Sequence, residues 1–162
     1  MATRVGIGYD VHAFAEPAAG RPLIIGGVTI PHDRGLAGHS DADVLLHALV
    51  DALLGAAGLG DIGQHFPSSD PRWRDASSVT FLEAARDLLA ARGWRVGNVD
   101  ATVVAERPRL TPHVGAMRAR IAATLEVEDE RVSVKAKTTD GLGFSGRGEG
   151  VACYAVALIE RD

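Results

Sequence analysis

The sequence predicts an α+β fold: a single domain with a mixed β-sheet and helices packed on one face. Two observations lead there. A chain of 162 residues suits one domain around one core. Its segments run strand, strand, helix, helix, strand, helix, strand, strand, without the alternation that a doubly wound parallel sheet requires. A single helical layer leaves the other sheet face bare, and in a short chain a neighbouring subunit often covers it.

Residues 4–12 read as a strand, with Val5, Ile7, Tyr9 and Val11 alternating against Gly6, Gly8, Asp10 and His12. Residues 22–30 read as a strand pair or one bulged strand, broken at Gly26-Gly27. After a turn-like stretch, a helix starts near Ser40, with Ser40 as N-cap, Asp41 and Asp43 at its positive end, and Gly58 as the stop. Residues 59–75 read as a long ordered loop, and residues 78–92 as a second helix ending at Gly93. A strand over 94–106 follows. Thr111-Pro112 opens a third helix in the N-cap and N1 positions, ending near Leu125. Strands over 131–138 and 151–160 flank a glycine-rich loop, Asp140 to Gly150.

The net charge of −4 comes with no basic stripe, which argues against a nucleic-acid partner. The longest apolar stretch, 44–59, is broken by His47 and Asp51 and is too short to span a membrane. The first residues carry no apolar signal core or Ser/Arg-rich transit segment, so a cytoplasmic location is expected. Cys153, the only cysteine, excludes an intrachain disulfide and a multi-cysteine zinc site. Any metal must then be held by histidines and carboxylates. Cys153 itself lies in an apolar strand and reads as a small core residue.

Three features could carry chemistry. On a strand, Asp10 and His12 point to the same side. They are either a metal-ligating pair or an ordinary surface pair. On a helix, Asp43, His47 and Asp51 share one face at four-residue spacing. That face is either a polar seam with a satisfied histidine or part of a metal site. Asp10, His12 and His47 together would offer two nitrogens and one oxygen, the donor set of a catalytic zinc with an open fourth position. The stretch Lys137 to Gly150 combines glycines, hydroxyls, Lys137 and Arg147. It suits either anion binding by backbone N–H groups or a flexible strand connection. No Walker A loop, dinucleotide fingerprint or nucleophile elbow is present.

The strings Gly-Tyr-Asp-Val-His-Ala-Phe (8–14), Gly-His-Ser-Asp-Ala-Asp-Val-Leu-Leu-His-Ala-Leu (38–49), Leu-Gly-Asp-Ile-Gly-Gln-His-Phe-Pro (59–67) and Gly-Phe-Ser-Gly-Arg-Gly-Glu-Gly (143–150) closely resemble the 2-C-methyl-D-erythritol 2,4-cyclodiphosphate synthase family of the non-mevalonate isoprenoid pathway. The resemblance covers essentially the whole chain. It implies a lyase that cyclises 4-diphosphocytidyl-2-C-methyl-D-erythritol 2-phosphate: the 2-phosphate attacks the β-phosphorus and CMP leaves. It implies one zinc on Asp10, His12 and His47, and magnesium or manganese near Asp140. His39 and Thr138 would stabilise the transition state. Substrate contacts would come from Asp10, His12, His39, Ser40, Asp61, Ile62 and Gly63, and from Phe66, Pro67, Ser68, Ser69 and Asp70. The cytidyl and phosphate portions would meet Ala105, Glu106, Arg107, Pro108, Arg109, Leu110 and Thr111, with Lys137, Thr138, Thr139, Asp140, Phe144 and Arg147 completing the set. The resemblance also implies a homotrimer with active sites between subunits, where Arg147 and Glu149 near the axis could lodge an isoprenoid diphosphate. Three positions depart from the family: Asp140 stands where Glu is usual, Ser68 where many members have Asp, and Lys137 where some have Thr. Two rivals remain, a zinc phosphohydrolase with the same ligands and a non-catalytic trimeric isoprenoid-diphosphate binding protein.

Overall fold

The computed structural model describes residues 1–162. A four-stranded sheet is built from β1 (Ala2–Ala13), β4 (Arg95–Val104), β5 (Val132–Lys137) and β6 (Gly150–Arg161), in the order β1-β6-β4-β5. β6 runs antiparallel to both β1 and β4, while β4 and β5 are parallel. The sheet is therefore mixed, as expected. The parallel pair needs a crossover, and α4 (Val114–Leu125) lies in it.

The glycine pair at 26–27 resolves into a hairpin, β2 (Leu23–Ile25) against β3 (Val28–Ile30). Both glycines have positive φ, 64° and 71°, as a two-residue turn of this hand requires.

The apolar helix α1 (Val44–Ala57) packs across β1 and β6, with α3 (Ser78–Ala90) beside it. Ser40 is not its N-cap. Asp43 is: its carboxylate accepts from Leu46 N at 3.0 Å and also from the hairpin amides Gly26 N at 2.9 Å and Gly27 N at 2.7 Å. The cap thus bolts the hairpin onto the helix. Its cost is burial, which pushes the Asp43 carboxyl up to about 6 against those three N–H groups. The stop at Gly58 is as expected.

Three other boundaries differ from expectation. The loop over 59–75 contains a short helix α2 (Ile62–His65) and a 3-10 turn (Pro71–Trp73). Thr111 caps no α-helix, because Thr111–His113 form a 3-10 turn ahead of α4. The glycine-rich loop folds one helical turn, α5 (Gly143–Gly146).

The alternation in β1 turns out to have an unusual polarity. Gly6, Gly8, Asp10 and His12 face the helices, whereas Val5 and Ile7 are 65 % and 71 % exposed. Tyr9, Val11, Tyr154 and Val156 extend the same bare apolar face. The helix lies so close that a Cβ on Gly8 would sit 1.9 Å from the Ala48 carbonyl oxygen, and one on Gly6 would sit 2.0 Å from that of Ala52. Close backbone approach here replaces side-chain packing. No helix is long and apolar enough to cross a membrane.

Candidate active site

That close approach brings three side chains to one point. Asp10 and His12 stand on the helix-facing side of β1, and His47 lies one turn into α1. Asp10 Oδ2 is 3.0 Å from His12 Nε2 and 3.2 Å from His47 Nδ1, and the two ring nitrogens are 3.2 Å apart. A tetrahedral zinc with bonds of about 2.0–2.1 Å has ligand–ligand edges of about 3.3 Å. The triangle is therefore already zinc-sized.

The surrounding hydrogen bonds decide what these atoms offer. His12 Nδ1–H donates to the Ala37 carbonyl at 2.7 Å, leaving a lone pair on Nε2. On the far side of the His47 ring, Nε2 meets Ser78 Oγ at 2.8 Å and Ser40 Oγ at 3.2 Å. With His47 protonated at Nε2, three acceptor atoms converge with no proton between them. A divalent cation satisfies that arrangement, and without one a proton on His12 Nε2 can bridge to Asp10.

Without the ion, the cluster holds itself together by charge. Burial opposes ionisation of Asp10, but the two imidazoles beside it, His12 and His47, outweigh this and lower the carboxyl to about 2. Burial likewise disfavours charged His12, and Asp10 more than offsets this, raising its pKa. Asp43 and Asp51, on the His47 side of α1, do other work. Asp43 is the cap, and Asp51 Oδ1 accepts from Ile62 N at 2.7 Å, fixing the start of α2.

A cavity of about 200 Å³ opens beside the triad, lined by His12, His39, Ser40, His47, Ile62, Gly63, Phe66 and Ser68. His39 Nε2–H donates to the Asp70 carbonyl at 3.0 Å. Asp61 caps α2 through Gln64 N, and Asp70 pairs with Arg72, which holds the Asp70 carboxyl below its usual range. Pro67 and Ser69 lie in the turn between them. The same cavity has Trp73 and Phe81 in its wall, which the residue types did not single out. Phe66 stacks on Phe81 at 4.5 Å with Trp73 edge-on to both.

The remaining residues lie elsewhere. Ala105 to Thr111, with Lys137, Thr138 and Asp140, line a separate cavity of about 360 Å³. Arg107, Arg109 and Lys137 give it three cations against Glu106 and Asp140. Asp140 adopts φ 51° and accepts from Thr138 Oγ1 at 3.0 Å, in the tight turn that precedes Gly141. Thr139 and Phe144 line a third cavity of about 230 Å³ beside Tyr9 and Tyr154, on the bare sheet face. Arg147 pairs with Glu149 at 2.7 Å, both exposed. Two buried polar atoms lack partners, Trp73 Nε1 and Glu106 Oε2, and each belongs to a residue lining one of the first two cavities. Unpaired groups of this kind are uncommon in a folded chain and mark places where a ligand can supply the missing bond.

Residues 3–160 match the model of the YgbB family. A 2-C-methyl-D-erythritol 2,4-cyclodiphosphate synthase from Syntrophomonas wolfei is 60 % identical, over 98 % of this chain and 99 % of its own. The bifunctional IspDF from Campylobacter jejuni superposes with a TM-score of 0.94 at 43 % identity over 99 % of this chain, which spans 43 % of that larger protein. IspF of Plasmodium falciparum, solved as a CDP complex, gives a TM-score of 0.86 at 33 % identity, over 99 % of this chain and 97 % of its own.

Proposed function

The chain belongs to the YgbB family of 2-C-methyl-D-erythritol 2,4-cyclodiphosphate synthases, and on that premise we propose that it cyclises 4-diphosphocytidyl-2-C-methyl-D-erythritol 2-phosphate with release of CMP. The observation that carries the reading is the convergence of Asp10 Oδ2, His12 Nε2 and His47 Nδ1 on one point with zinc-like spacing. Asp10, His12 and His47 hold zinc, and Asp140 serves magnesium or manganese. When bound, the cations neutralise the phosphates that must approach one another.

The chain's own residues do the positioning. The nucleophile is already an anionic phosphate, so no strong general base is required. The reacting groups belong to one molecule, and holding them in line carries much of the acceleration. His39, in the triad cavity, and Thr138, in the second cavity, stabilise charge that develops during transfer. Arg107, Arg109 and Lys137 attract the cytidyl diphosphate portion, and the CDP complex of the Plasmodium falciparum relative supports nucleotide binding by this fold.

In one chain the triad cavity and the cationic cavity are separate. This supports a homotrimer in which one subunit's triad faces its neighbour's cationic cavity across the interface. The bare apolar face of β1 and β6 supports the same assembly, since an exposed patch of this kind marks an interaction surface. Arg147 and Glu149 would then stand near the axis, available to an isoprenoid diphosphate. A cytoplasmic location completes the proposal.

Incubation of zinc- and magnesium-loaded protein with the cytidyl substrate tests it. CMP and the cyclic diphosphate should appear together in equal amounts. Release of inorganic phosphate without CMP would support a phosphohydrolase instead, and binding without turnover would leave a non-catalytic isoprenoid-diphosphate protein.

A further inference from the structure

We propose that Asp41 and Ser78 are positioning residues that set the tautomer of His47, making Nδ1 its metal-facing atom. The inference rests on the zinc reading above and concerns two side chains outside the ligand set. Asp41 lies in the turn before α1, and Ser78 is the first residue of α3 and wholly buried. Ser78 N donates to Asp41 Oδ2 at 3.0 Å, and Ser78 Oγ is hydrogen-bonded to Asp41 Oδ1. A carboxylate can only accept, so the Ser78 hydroxyl proton is committed to Asp41. Towards His47, Ser78 Oγ can then only accept, and it lies 2.8 Å from His47 Nε2. The Ser78 acceptor therefore draws the ring proton to Nε2, in competition with Asp10 Oδ2, which lies 3.2 Å from Nδ1, and leaves the Nδ1 lone pair towards Asp10 and His12.

A second hydroxyl shows why this device matters. Ser40 Oγ lies 3.2 Å from the same Nε2 and accepts from Ala42 N at 3.2 Å. Its own proton is uncommitted, so Ser40 alone would donate to Nε2 and leave the ring proton on Nδ1, between the donor atoms of the metal site. Ser78, with its proton held by Asp41, tips the competition. Asp41 is itself fixed, since its backbone N donates to Ala76 O at 3.0 Å and its Oδ1 accepts from Asp43 N at 3.1 Å. The relay thus ties the ring state of His47 to the docking of α3 beside α1. His12 is set independently by the Ala37 carbonyl through its other nitrogen.

The test uses the full chain, with and without zinc, as parent, Ser78→Ala and Asp41→Ala. Asp41→Ala removes both acceptor oxygens, so Ser78 N and Ser78 Oγ each lose their partner. Nitrogen NMR of the metal-free protein, at a pH where the imidazole is neutral, reads the His47 tautomer directly. The parent should carry the proton on Nε2, and Ser78→Ala should move it substantially to Nδ1. Zinc dissociation constants, from competition with a chelator, should rise by about 10- to 100-fold in both variants, the range found when partners of metal-bound histidines are removed. A merely structural role would lower the melting temperature of the metal-free protein while leaving the tautomer in place. An unchanged His47 tautomer in Ser78→Ala overturns the inference, as does an unchanged zinc constant in a folded variant. If Ser78→Ala does not fold, Asp41→Ala decides by the same two readings. A parent that binds no zinc would sink the zinc reading instead, and the tautomer measured without metal would still judge the relay.

Discussion

Replacing Gly8 by Ala adds a single methyl group where the structure has no room for one. The new Cβ would lie 1.9 Å from the Ala48 carbonyl oxygen and 2.9 Å from Ala52 N, both backbone atoms that no rotamer change can move aside. A comfortable carbon–oxygen contact is about 3.3 Å, so strand and helix must separate locally by about 1.4 Å. Overpacking of this kind costs about 3 kcal/mol, which in a chain of this size lowers Tm by about 6–12 °C. The displacement matters more for the site than for the fold. Asp10 and His12 follow on β1 and His47 lies on α1, so the same separation opens the two 3.2 Å edges that join His47 to Asp10 and His12 beyond what one zinc can bridge. Gly55→Ala, on the exposed side of the same helix with nothing within 4 Å of its added Cβ, is the control. It should stabilise the chain by about 0.5–1 kcal/mol through helix propensity alone. Calorimetry and elemental analysis of the two variants check both signs. If Gly8→Ala melted within about 2 °C of the parent and kept a full zinc equivalent, the close approach would not be what assembles the site.

Three further outcomes are expected. In the metal-free chain, the Asp10 carboxyl is lowered, so its contribution to stability is lost as pH falls from about 4 towards 2. His12 is raised, so its contribution is complete below about 6.5 and lost as pH climbs through the folded value; the stability difference between parent and Asp10→Asn, from denaturant titrations at each pH, should therefore peak between those limits, and a flat difference would contradict the pairing. Ile7→Asp, a charge on the bare face of β1, should reduce the mass in sedimentation equilibrium from trimer to monomer; an unchanged mass would remove this face from the interface. Asp140→Ala should raise the magnesium concentration needed for half-maximal CMP release without changing zinc content, and an unchanged titration would leave Asp140 as a turn residue held by Thr138.

The strands and principal helices were legible because their signals are local. The glycine pair at 26–27 broke a run of apolar residues, and the long apolar stretch from Val44 ended at a glycine. What failed was set by distant parts of the chain. Ser40 and Asp43 are equally good caps by residue type, and Asp43 wins because the hairpin at Gly26-Gly27 adds two donors to its carboxylate. The period of β1 divided its residues correctly into two sets. It could not tell which set faced the core, since the usual expectation places the apolar set inward. The reverse holds because small residues on both sides, Gly6 and Gly8 against Ala48, Ala52 and Ala56, let a helix lie on bare strand backbone.

The grouping of Asp10, His12 and His47 was legible for the same reason as the elements. Asp10 and His12 are two apart on a strand, and His47 belongs to a helix whose face carries polar groups in an apolar run. Residue type and spacing identify such ligands, yet they are silent on which nitrogen each ring presents. That choice belongs to the acceptor on the ring's other side. For His12 it is the Ala37 carbonyl, which selects Nε2; for His47 it is Ser78, which selects Nδ1. Neither partner has any periodic relation to its histidine, and a backbone carbonyl carries no residue signature at all. The two rings thus reach one point through different atoms. Had both used the same nitrogen, one ring would have to shift along its own element to keep the triangle closed. The position of β1 against α1, permitted only by Gly6 and Gly8, is therefore matched to a particular pair of tautomers. Packing and proton placement are two parts of one condition on the site.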